Sequence, residues 1–302
     1  MRTVYFGTSE FAASVLRRLA ESRHVPRLVV TPPDRPRGRG RRLSPTPTAL
    51  VAEELGVDVL RADASERTDA LARIRAAKPE IGVVCAFGQL LREPLLSELD
   101  MLNVHPSLIP RWRGAAPIER AIIAGDTETG VTIIRVSAGL DEGPVALRER
   151  LPIASDDTYG TLAARLAELG GELLVRALDL RERGELELSE QDETLATYAE
   201  KIGRSDRRLD PARPAAELER VVRALSPHIG AHLELVGGER LGVLRARAEP
   251  RGSAPGELAA SDGLLLGCGE GSLRLVEVRP PGGRAMDAGA YLRGHRVPRL
   301  AA

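Results

Sequence analysis

The first 105 residues alternate between two sequence periods, and this alternation restricts the fold more than any other feature. Short apolar segments rich in β-branched residues are typical of buried parallel strands, and they lie at 2–6, 27–31, 57–61, 81–87 and 101–105. Helix-like segments separate them, at 9–21, 48–55, 67–77 and 93–99. Such alternation implies right-handed βαβ units. The sequence therefore predicts an α/β domain with a doubly wound, mostly parallel, Rossmann-like sheet.

The chain has 302 residues, which is too many for one ordinary core. The segment 185–203 is charged and weakly periodic, and we interpret it as a linker. A helix and short strand candidates separated by Gly and Pro turns follow it, which indicates a small β-barrel or sandwich. We expect an α/β domain at 1–184 and a smaller β domain at 204–302.

Charge is balanced over the whole chain but not along it. The formal net charge is zero, which argues against a protein that coats itself in nucleic acid. Residues 1–202 carry 27 basic and 31 acidic side chains, whereas residues 203–302 carry 16 basic and 12 acidic ones. The C-terminal part is therefore the more basic one.

A long connection between residues 31 and 47 is rich in Pro, Gly and Arg, and is far longer than a usual βα loop. It concentrates five arginines, namely Arg35, Arg37, Arg39, Arg41 and Arg42. A charge run of this kind is more often a solvated loop than an arm that contacts phosphates. Composition favours the solvated loop and leaves the arm open.

Cys85 and Cys268 lie far apart, in apolar or glycine-rich surroundings, and fit neither a metal nor a disulfide spacing. We expect two buried free thiols. No apolar run approaches the length of a membrane span, and the N-terminal residues lack the apolar core of a signal peptide. We expect a cytoplasmic monomer without a membrane partner.

The stretch "NVHPSLIPRWRGAAP" places Asn103 and His105 two residues apart where a strand ends. Both side chains then lie on the same face of the sheet, and Pro106 favours an extended His105. Histidine can accept a proton near neutral pH, and asparagine can stabilise an oxyanion. Asp141 in "GLDEGP" could orient the ring, although aspartate in such a loop is more often a turn former. The set points to acyl transfer without a covalent intermediate, because no activated Ser or Cys motif is present.

"NVHPSLIPRWRGAAPI" closely resembles the formyltransferase family that uses 10-formyltetrahydrofolate. "FGTSEFA", "LDEGPV", "DDTYGTLAARLAELG" and "QDETLATYAEKI" are also similar to that family, so the likeness covers almost the whole chain. "TPPDRPRGRGRRLSPTP" resembles the members that act on methionyl initiator tRNA. In the C-terminal part, "SPHIGAH" at 226–232 stands where the family usually has "NPWP" and an aromatic residue.

The resemblance implies a role for each matching residue. Asn103, His105 and Asp141 would form the catalytic set. Tetrahydrofolate contacts are implied for the "SLIP" turn, which consists of Ser107, Leu108, Ile109 and Pro110. The arginine loop would be an arm on the acceptor stem of initiator tRNA, with Arg39 as its principal contact. We further expect the Ile109–Pro110 bond to be cis, because tight functional turns are where cis prolines occur.

The implied reaction moves a formyl group from 10-formyltetrahydrofolate, a consumed co-substrate, to the α-amino group of methionine on initiator tRNA, and it needs no metal. The implied C-terminal domain is OB-like and binds tRNA. Alternatives are formylation of a small amine, such as an amino sugar or a purine precursor, and the hydrolase domain of formyltetrahydrofolate dehydrogenase, which belongs to a much longer chain. A non-catalytic tRNA-binding relative is a further alternative, and the presence of Asn103, His105 and Asp141 speaks against it.

Overall fold

The computed structural model describes residues 1–37, 42–62, 68–250, 254–261 and 263–301. The chain forms two compact units. The first unit comprises Met1–Pro117, Glu128–Pro152 and Ala163–Ala199, and the second comprises Ile118–Thr127, Ile153–Leu162 and Glu200–Ala302. The second unit thus includes two short segments from the N-terminal part of the chain, which sequence periodicity did not predict.

The strands up to residue 152 are β1 (Thr3–Gly7), β2 (Pro26–Thr31), β3 (Arg35–Arg37), β4 (Arg42–Ser44), β5 (Asp58–Arg61), β6 (Ile81–Cys85), β7 (Met101–His105), β8 (Arg113–Gly114), β9 (Glu128–Arg135) and β10 (Val145–Pro152). The helices up to residue 182 are α1 (Glu10–Ala20), α2 (Pro47–Glu54), α3 (Thr68–Ala76), α4 (Leu95–Glu98), α5 (Pro117–Ala124) and α6 (Tyr159–Glu182). The elements that follow are β11 (Tyr198–Ala199), α7 (Ala215–Leu225), β12 (Ala231–Glu234), β13 (Arg240–Glu249), β14 (Leu258–Ala260), β15 (Leu264–Gly267), β16 (Ser272–Arg279), β17 (Met286–Asp287) and α8 (Ala288–Gly294).

The first unit is built on a seven-stranded sheet with the order β10-β9-β7-β6-β1-β2-β5. The five strands from β7 to β5 are parallel, while β9 and β10 join antiparallel at one edge. The prediction of a mostly parallel sheet is therefore confirmed. Strand β10 was not predicted, because its sequence "VALRERLP" is charged and only partly buried.

Helices cover both faces of this sheet. On one face, Leu71 and Ile74 of α3 pack in one apolar cluster with Val4 and Phe6 of β1. On the opposite face, a Cβ added at Gly170 of α6 would lie 2.9 Å from the Cγ1 atom of Val104. A larger side chain at that position would push the helix off the sheet, so glycine allows the close approach. This arrangement confirms the doubly wound fold.

The arginine-rich connection contains regular structure that its composition did not predict. Strands β3 and β4 pair antiparallel, with Arg35 opposite Ser44 and Arg37 opposite Arg42. Arg39 and Arg41 lie outside the described residues, so the structure says nothing of them. The described part of the connection is the stem of a β-hairpin.

The second unit contains the expected antiparallel sheet, in the order β12-β13-β16-β15-β14 with β17 paired to β16. Helix α7 spans the segment expected to be helical and buries Leu218, Val221 and Leu225 in this unit's core. Both cysteines are free and buried, as predicted, and burial raises the pKa of Cys85 to about 12. Within the described residues, no helix is both long and apolar enough to cross a bilayer.

Candidate active site

Strand β7 carries the predicted pair and places it beside two neighbouring strands. Asn103 pairs with Val84 of β6 on one side and with Ile134 of β9 on the other. Val104 faces α6, while Asn103 and His105 lie on the opposite face of the sheet, as the strand period predicts. The two side chains therefore lie on the sheet face that the cleft described below occupies.

The loop that carries Asp141 reaches the pair by an unexpected route. Because β9 is antiparallel to β7, the chain leaves β9 beside the start of β7, where Val136 N donates to Met101 O at 2.8 Å. The loop then turns back along β7. Asp141 itself has a φ of +56°, which is uncommon for a residue other than glycine. Its position depends on this return, which the sequence pattern did not predict.

The carboxylate of Asp141 joins the predicted catalytic residues. Its Oδ1 atom accepts a hydrogen bond from Asn103 Nδ2 at 3.0 Å, and its Oδ2 atom accepts one from Gly114 N at 2.9 Å. Oδ2 also lies 3.5 Å from His105 Nδ1. The side chains of His105 and Asp141 are only 4% and 12% exposed, so little water separates the groups. The structure thus brings all three predicted residues into one cluster.

The contacts of His105 indicate which ring nitrogen can accept a proton. Its Nε2 atom lies 2.8 Å from the carbonyl oxygen of Trp112. A carbonyl can only accept, so Nε2 must carry a hydrogen and donate it. In the neutral ring, Nδ1 is then the bare nitrogen, and it faces the carboxylate of Asp141. Nδ1 is therefore the ring nitrogen that could accept a proton.

Two of the four residues of the "SLIP" turn are fully buried. Ser107 and Ile109 have no exposed surface. Ser107 Oγ donates to Arg111 O at 2.6 Å, and Ile109 N donates to Thr132 Oγ1 at 3.2 Å. The polar groups of Ser107 and Ile109 are thus satisfied within the protein, whereas Leu108 and Pro110 are partly exposed. The expected folate contacts of the turn stay a prediction. The Ile109–Pro110 bond is cis, as expected.

A cleft with a volume of ≈ 120 Å³ opens above Asn103. Val84, Asn103 and Ile134 line it from the sheet, and the segments 89–91 and 136–143 contribute the rest of its lining, Asp141 included. The segment 89–91 follows β6 at its carboxyl end, which is where ligands bind in open α/β sheets. That rule could have identified the segment from sequence. Asn103 and Asp141 therefore lie at the wall of this cleft.

The chemistry of the cleft suits a flat ligand with polar edges. Leu90 and Leu140 line it and are 65% and 53% exposed, so they offer apolar surface. Gln89 donates from Nε2 to Ala62 O at 3.3 Å, which leaves its Oε1 atom as an acceptor. This Oε1 is buried and has no hydrogen-bond partner among the described residues. A ligand with an N–H group would supply the missing donor.

Sequence analysis missed a polar network beneath the Asp141 loop. Arg113 is fully buried and donates to both Gln191 and Glu193. The hydrogen bonds to Glu193 raise the pKa of Arg113 and lower that of Glu193. No local signal marks these residues, since Gln191 and Glu193 lie in the charged segment interpreted as a linker.

The predicted arginines are only partly described. Arg35 and Arg42 are exposed on the hairpin stem, and the structure gives the backbone of Arg37. Among the described residues, only His24, Asp179 and Glu182 are grouped closely enough to hold a metal ion. Arg23 already pairs with both of those carboxylates, at 2.8 and 2.9 Å. These three residues are not among those that line the cleft.

Fold and site together define an α/β enzyme with an Asn–Asp–His cluster for acyl transfer and an antiparallel β unit beside it in sequence. The Formyl transferase family model matches residues 1–178, and the model of the Formyl transferase C-terminal domain matches residues 201–296. The chain belongs to the formyl transferase family.

Relatives and solved structures agree with this assignment. The chain is 45% identical over 291 residues to the methionyl-tRNA formyltransferase of Pseudomonas fluorescens (strain SBW25), covering 95% of this chain and 92% of that protein. It is 44% identical over 299 residues to that of Methylobacillus flagellatus, covering 98% and 97%.

Two solved structures resemble the fold at low sequence identity. One is HypX from Aquifex aeolicus in complex with tetrahydrofolic acid, with a TM-score of 0.67, 19% identity and coverage of 97% of this chain and 47% of HypX. This chain therefore spans about half the length of HypX. The other is the N-formyltransferase from Helicobacter canadensis in complex with folinic acid and dTDP-3-aminofucose, with a TM-score of 0.65, 13% identity and coverage of 91% and 99%.

The hydrogen bond to Trp112 predicts the tautomer of His105. In the neutral ring, Nε2 should be protonated and Nδ1 bare, since only a donor can satisfy the carbonyl oxygen. Nitrogen chemical shifts of labelled histidine distinguish the two forms, and a His105→Gln variant identifies the signal. Observation of the Nδ1-protonated neutral ring would contradict the assignment of Nδ1 as proton acceptor.

Proposed function

We propose that this protein transfers the formyl group of 10-formyltetrahydrofolate to the α-amino group of methionyl initiator tRNA, in preparation for translation initiation. The observation that carries the proposal is the cluster at a cleft wall, in which Asn103 donates a hydrogen bond to Asp141 and His105 Nδ1 lies 3.5 Å from the same carboxylate. It occurs in a chain 45% identical to a methionyl-tRNA formyltransferase along nearly its whole length.

The cluster supplies the groups that formyl transfer needs. An α-amino group has a pKa of about 7.7–8.0 in model compounds, so a useful fraction is neutral and nucleophilic. When the amine attacks the formyl carbon, negative charge develops on the formyl oxygen. Asn103 uses one N–H on Asp141 and keeps its second for that oxygen.

The proton released by the attacking amine needs an acceptor, and His105 Nδ1 provides it. Protonation turns His105 into an imidazolium whose Nδ1 faces Asp141 Oδ2 at 3.5 Å. Asp141 thus stabilises the charged ring while its other oxygen holds Asn103 in place. His105 then returns the proton to the departing tetrahydrofolate nitrogen.

The cleft above Asn103 fits the pterin ring of the donor. Leu90 and Leu140 offer apolar surface for the flat faces of the ring, and the orphan acceptor Gln89 Oε1 would take a ring N–H. These residues and the backbone of 136–143 would form the donor-binding surface, together with the folate contacts expected of the turn from Ser107 to Pro110. The donor brings the formyl group, and the protein supplies only binding, orientation and proton transfer.

The formyl acceptor, methionyl-tRNA, is a polyanion. The hairpin formed by β3 and β4 is the part of the first unit suited to binding it. Arg35 and Arg42 are exposed on its two strands, and guanidinium groups bind phosphates as planar forks. Together with Arg37, they would contact phosphates of the tRNA. We include Arg35, Arg39 and Arg41 in the same tRNA-contacting arm.

The direct test is an assay of formylmethionine formation from 10-formyltetrahydrofolate and charged initiator tRNA, beside parallel reactions with free methionine and with a nucleotide-linked amino sugar. We expect transfer to the tRNA to exceed transfer to both small amines. Faster transfer to the amino sugar would favour the small-amine alternative, and formate release without an acceptor would favour the hydrolase.

Substitution of His105 or Asn103 should lower kcat. His105→Ala should reduce kcat by ~10²-fold or more, since it removes the proton acceptor. Asn103→Ala should reduce kcat by ~10²–10³-fold, since it removes the oxyanion donor. The control is His295→Ala, which removes an exposed imidazole of the second unit and should leave kcat near the wild-type value. Near-normal turnover of either active-site variant would contradict its assigned role.

Removal of Gln89 Oε1 should weaken the binding of 10-formyltetrahydrofolate and leave the binding of methionyl-tRNA unchanged. Gln89→Met keeps the shape of the side chain and should raise KM for 10-formyltetrahydrofolate by ~3–10-fold, the usual effect of one lost hydrogen bond. KM for methionyl-tRNA should not change. Arg92→Met, an exposed neighbour outside the cleft, is the control. An equal effect on both substrates would contradict the placement of the pterin.

The hairpin should contribute to tRNA binding through charge. Arg42→Ala should raise KM for methionyl-tRNA and make its dependence on salt shallower, by a log–log slope of ~0.7–0.9 for each lost phosphate contact. Donor binding should stay unchanged. Arg73→Ala, at an exposed arginine on α3, serves as the matched control. An unchanged affinity and slope would return the hairpin to the solvated loop that composition favours.

A further inference from the structure

Residues 189–199, here termed the brace segment, run against the catalytic cluster although the sequence suggests a linker. At one end, Ser189 exchanges two backbone hydrogen bonds with Val145, at 2.8 and 2.9 Å. At the other end, β11 pairs in parallel with β8, and Trp112 N donates to Thr197 Oγ1 at 2.9 Å. The brace segment is therefore fixed on both sides of the active site.

Gln191 of the brace segment holds the backbone of the catalytic loop. Its Nε2 atom donates to Asp141 O at 2.8 Å and to Gly143 O at 2.6 Å. Its Oε1 atom accepts from Arg113 Nε at 3.0 Å and from Arg113 Nη2 at 2.6 Å. Because a guanidinium only donates and carbonyls only accept, the amide can face its neighbours in one orientation alone.

Arg113 sets that orientation and is itself fixed. Its side chain is fully buried, and Glu193 accepts from Nη1 at 2.9 Å and from Nη2 at 2.7 Å. A buried guanidinium needs such a paired carboxylate, because an isolated charge would be costly there. The backbone on either side of Arg113 contacts the catalytic groups, since Trp112 O accepts from His105 and Gly114 N donates to Asp141.

Asp141 needs external support, since its φ of +56° is one that non-glycine residues adopt rarely. Such a conformation persists where surrounding contacts over-determine it. The carboxylate contacts described above fix the side chain, whereas Gln191 fixes the backbone on which the side chain is mounted. Both kinds of contact are required to place the two carboxylate oxygens.

We propose that Gln191 is a positioning residue for formyl transfer, which holds the Asp141 loop in its left-handed conformation and is oriented for that task by Arg113 and Glu193. The inference rests on the function proposed above. Gln191 is not among the residues that line the cleft. It acts through the placement of Asp141, on which Asn103 and His105 depend.

Gln191→Glu tests the proposal, because the carboxylate can still accept from Arg113 but cannot donate to the two carbonyl oxygens. We expect kcat to fall by ~10–10²-fold, the scale of a small misplacement of catalytic groups, with KM for methionyl-tRNA within twofold of wild type. Gln191→Met, which removes both sets of hydrogen bonds without adding charge, should show a similar loss of kcat. Thermal denaturation identifies any variant that loses its fold.

Matched variants separate positioning from net charge. Glu190→Gln changes the charge of the exposed neighbour and should leave kcat unchanged. The double variant Glu190→Gln/Gln191→Glu restores the net charge and should remain as slow as Gln191→Glu. Recovery of kcat in the double variant would overturn the proposal, as would normal kcat in both Gln191 variants.

Hydrogen exchange tests the same support without any substrate. In Gln191→Met, the amides of residues 139–143 and of Gly114 should exchange at least ~10-fold faster, because their loop opens more often. Amides of the second unit's sheet should not change. A wild-type protein that fails to transfer formyl groups would contradict the proposed function alone. Unchanged exchange in the Gln191 variant would overturn the positioning role alone.

Discussion

The carboxylate of Asp141 is the interaction on which the active site depends. Its two oxygens accept hydrogen bonds from Asn103 on β7 and from Gly114 on β8, and one of them faces the ring of His105. Strand β7, strand β8 and the loop that carries Asp141 thus meet at one side chain. Low exposure at this point strengthens each contact, because little water screens the charge. The same carboxylate engages one N–H of Asn103, and under the proposed function the second N–H is available to a substrate oxygen.

The parts of this arrangement that sequence predicted are those governed by local periods. Apolar segments with a strand period formed β1, β2, β5, β6 and β7, and the alternation of faces along β7 was enough to place Asn103 beside His105. The path of the Asp141 loop was different, because it depends on the direction of β9. A sequence period predicts that a segment is a strand, but it does not predict whether an edge strand runs parallel or antiparallel. The prediction that Asp141 joins the cluster came from family resemblance, and the structure supplies the geometric reason.

Burial explains the remaining differences. The sequence did not show that Ser107 and Ile109 of the "SLIP" turn are buried and form hydrogen bonds within the protein. Conversely, Arg113 belongs to a residue type that is almost never fully buried unless it is paired, and its partners Gln191 and Glu193 lie about 80 residues further along the chain. Only the tertiary structure shows that a charged, weakly periodic segment supports the catalytic loop. Charge and periodicity distinguish exposed from buried segments on average. They do not show which polar side chains of a mostly exposed segment pair with a buried arginine.

Under the proposed function, the catalytic cluster does not discriminate between tRNA and a small amine as the formyl acceptor. Asn103, His105 and Asp141 treat any α-amino group alike, since they contact the reacting atoms and nothing further along the acceptor. Residues 1–202 carry more acidic than basic side chains, so the chain that holds the cluster offers a polyanion no general attraction. Under this proposal the attraction is local, and Arg35 and Arg42, which are exposed on the hairpin, are suited to supply it. Selectivity for tRNA and the chemistry of formyl transfer therefore belong to different elements of the first unit, and each can change without the other.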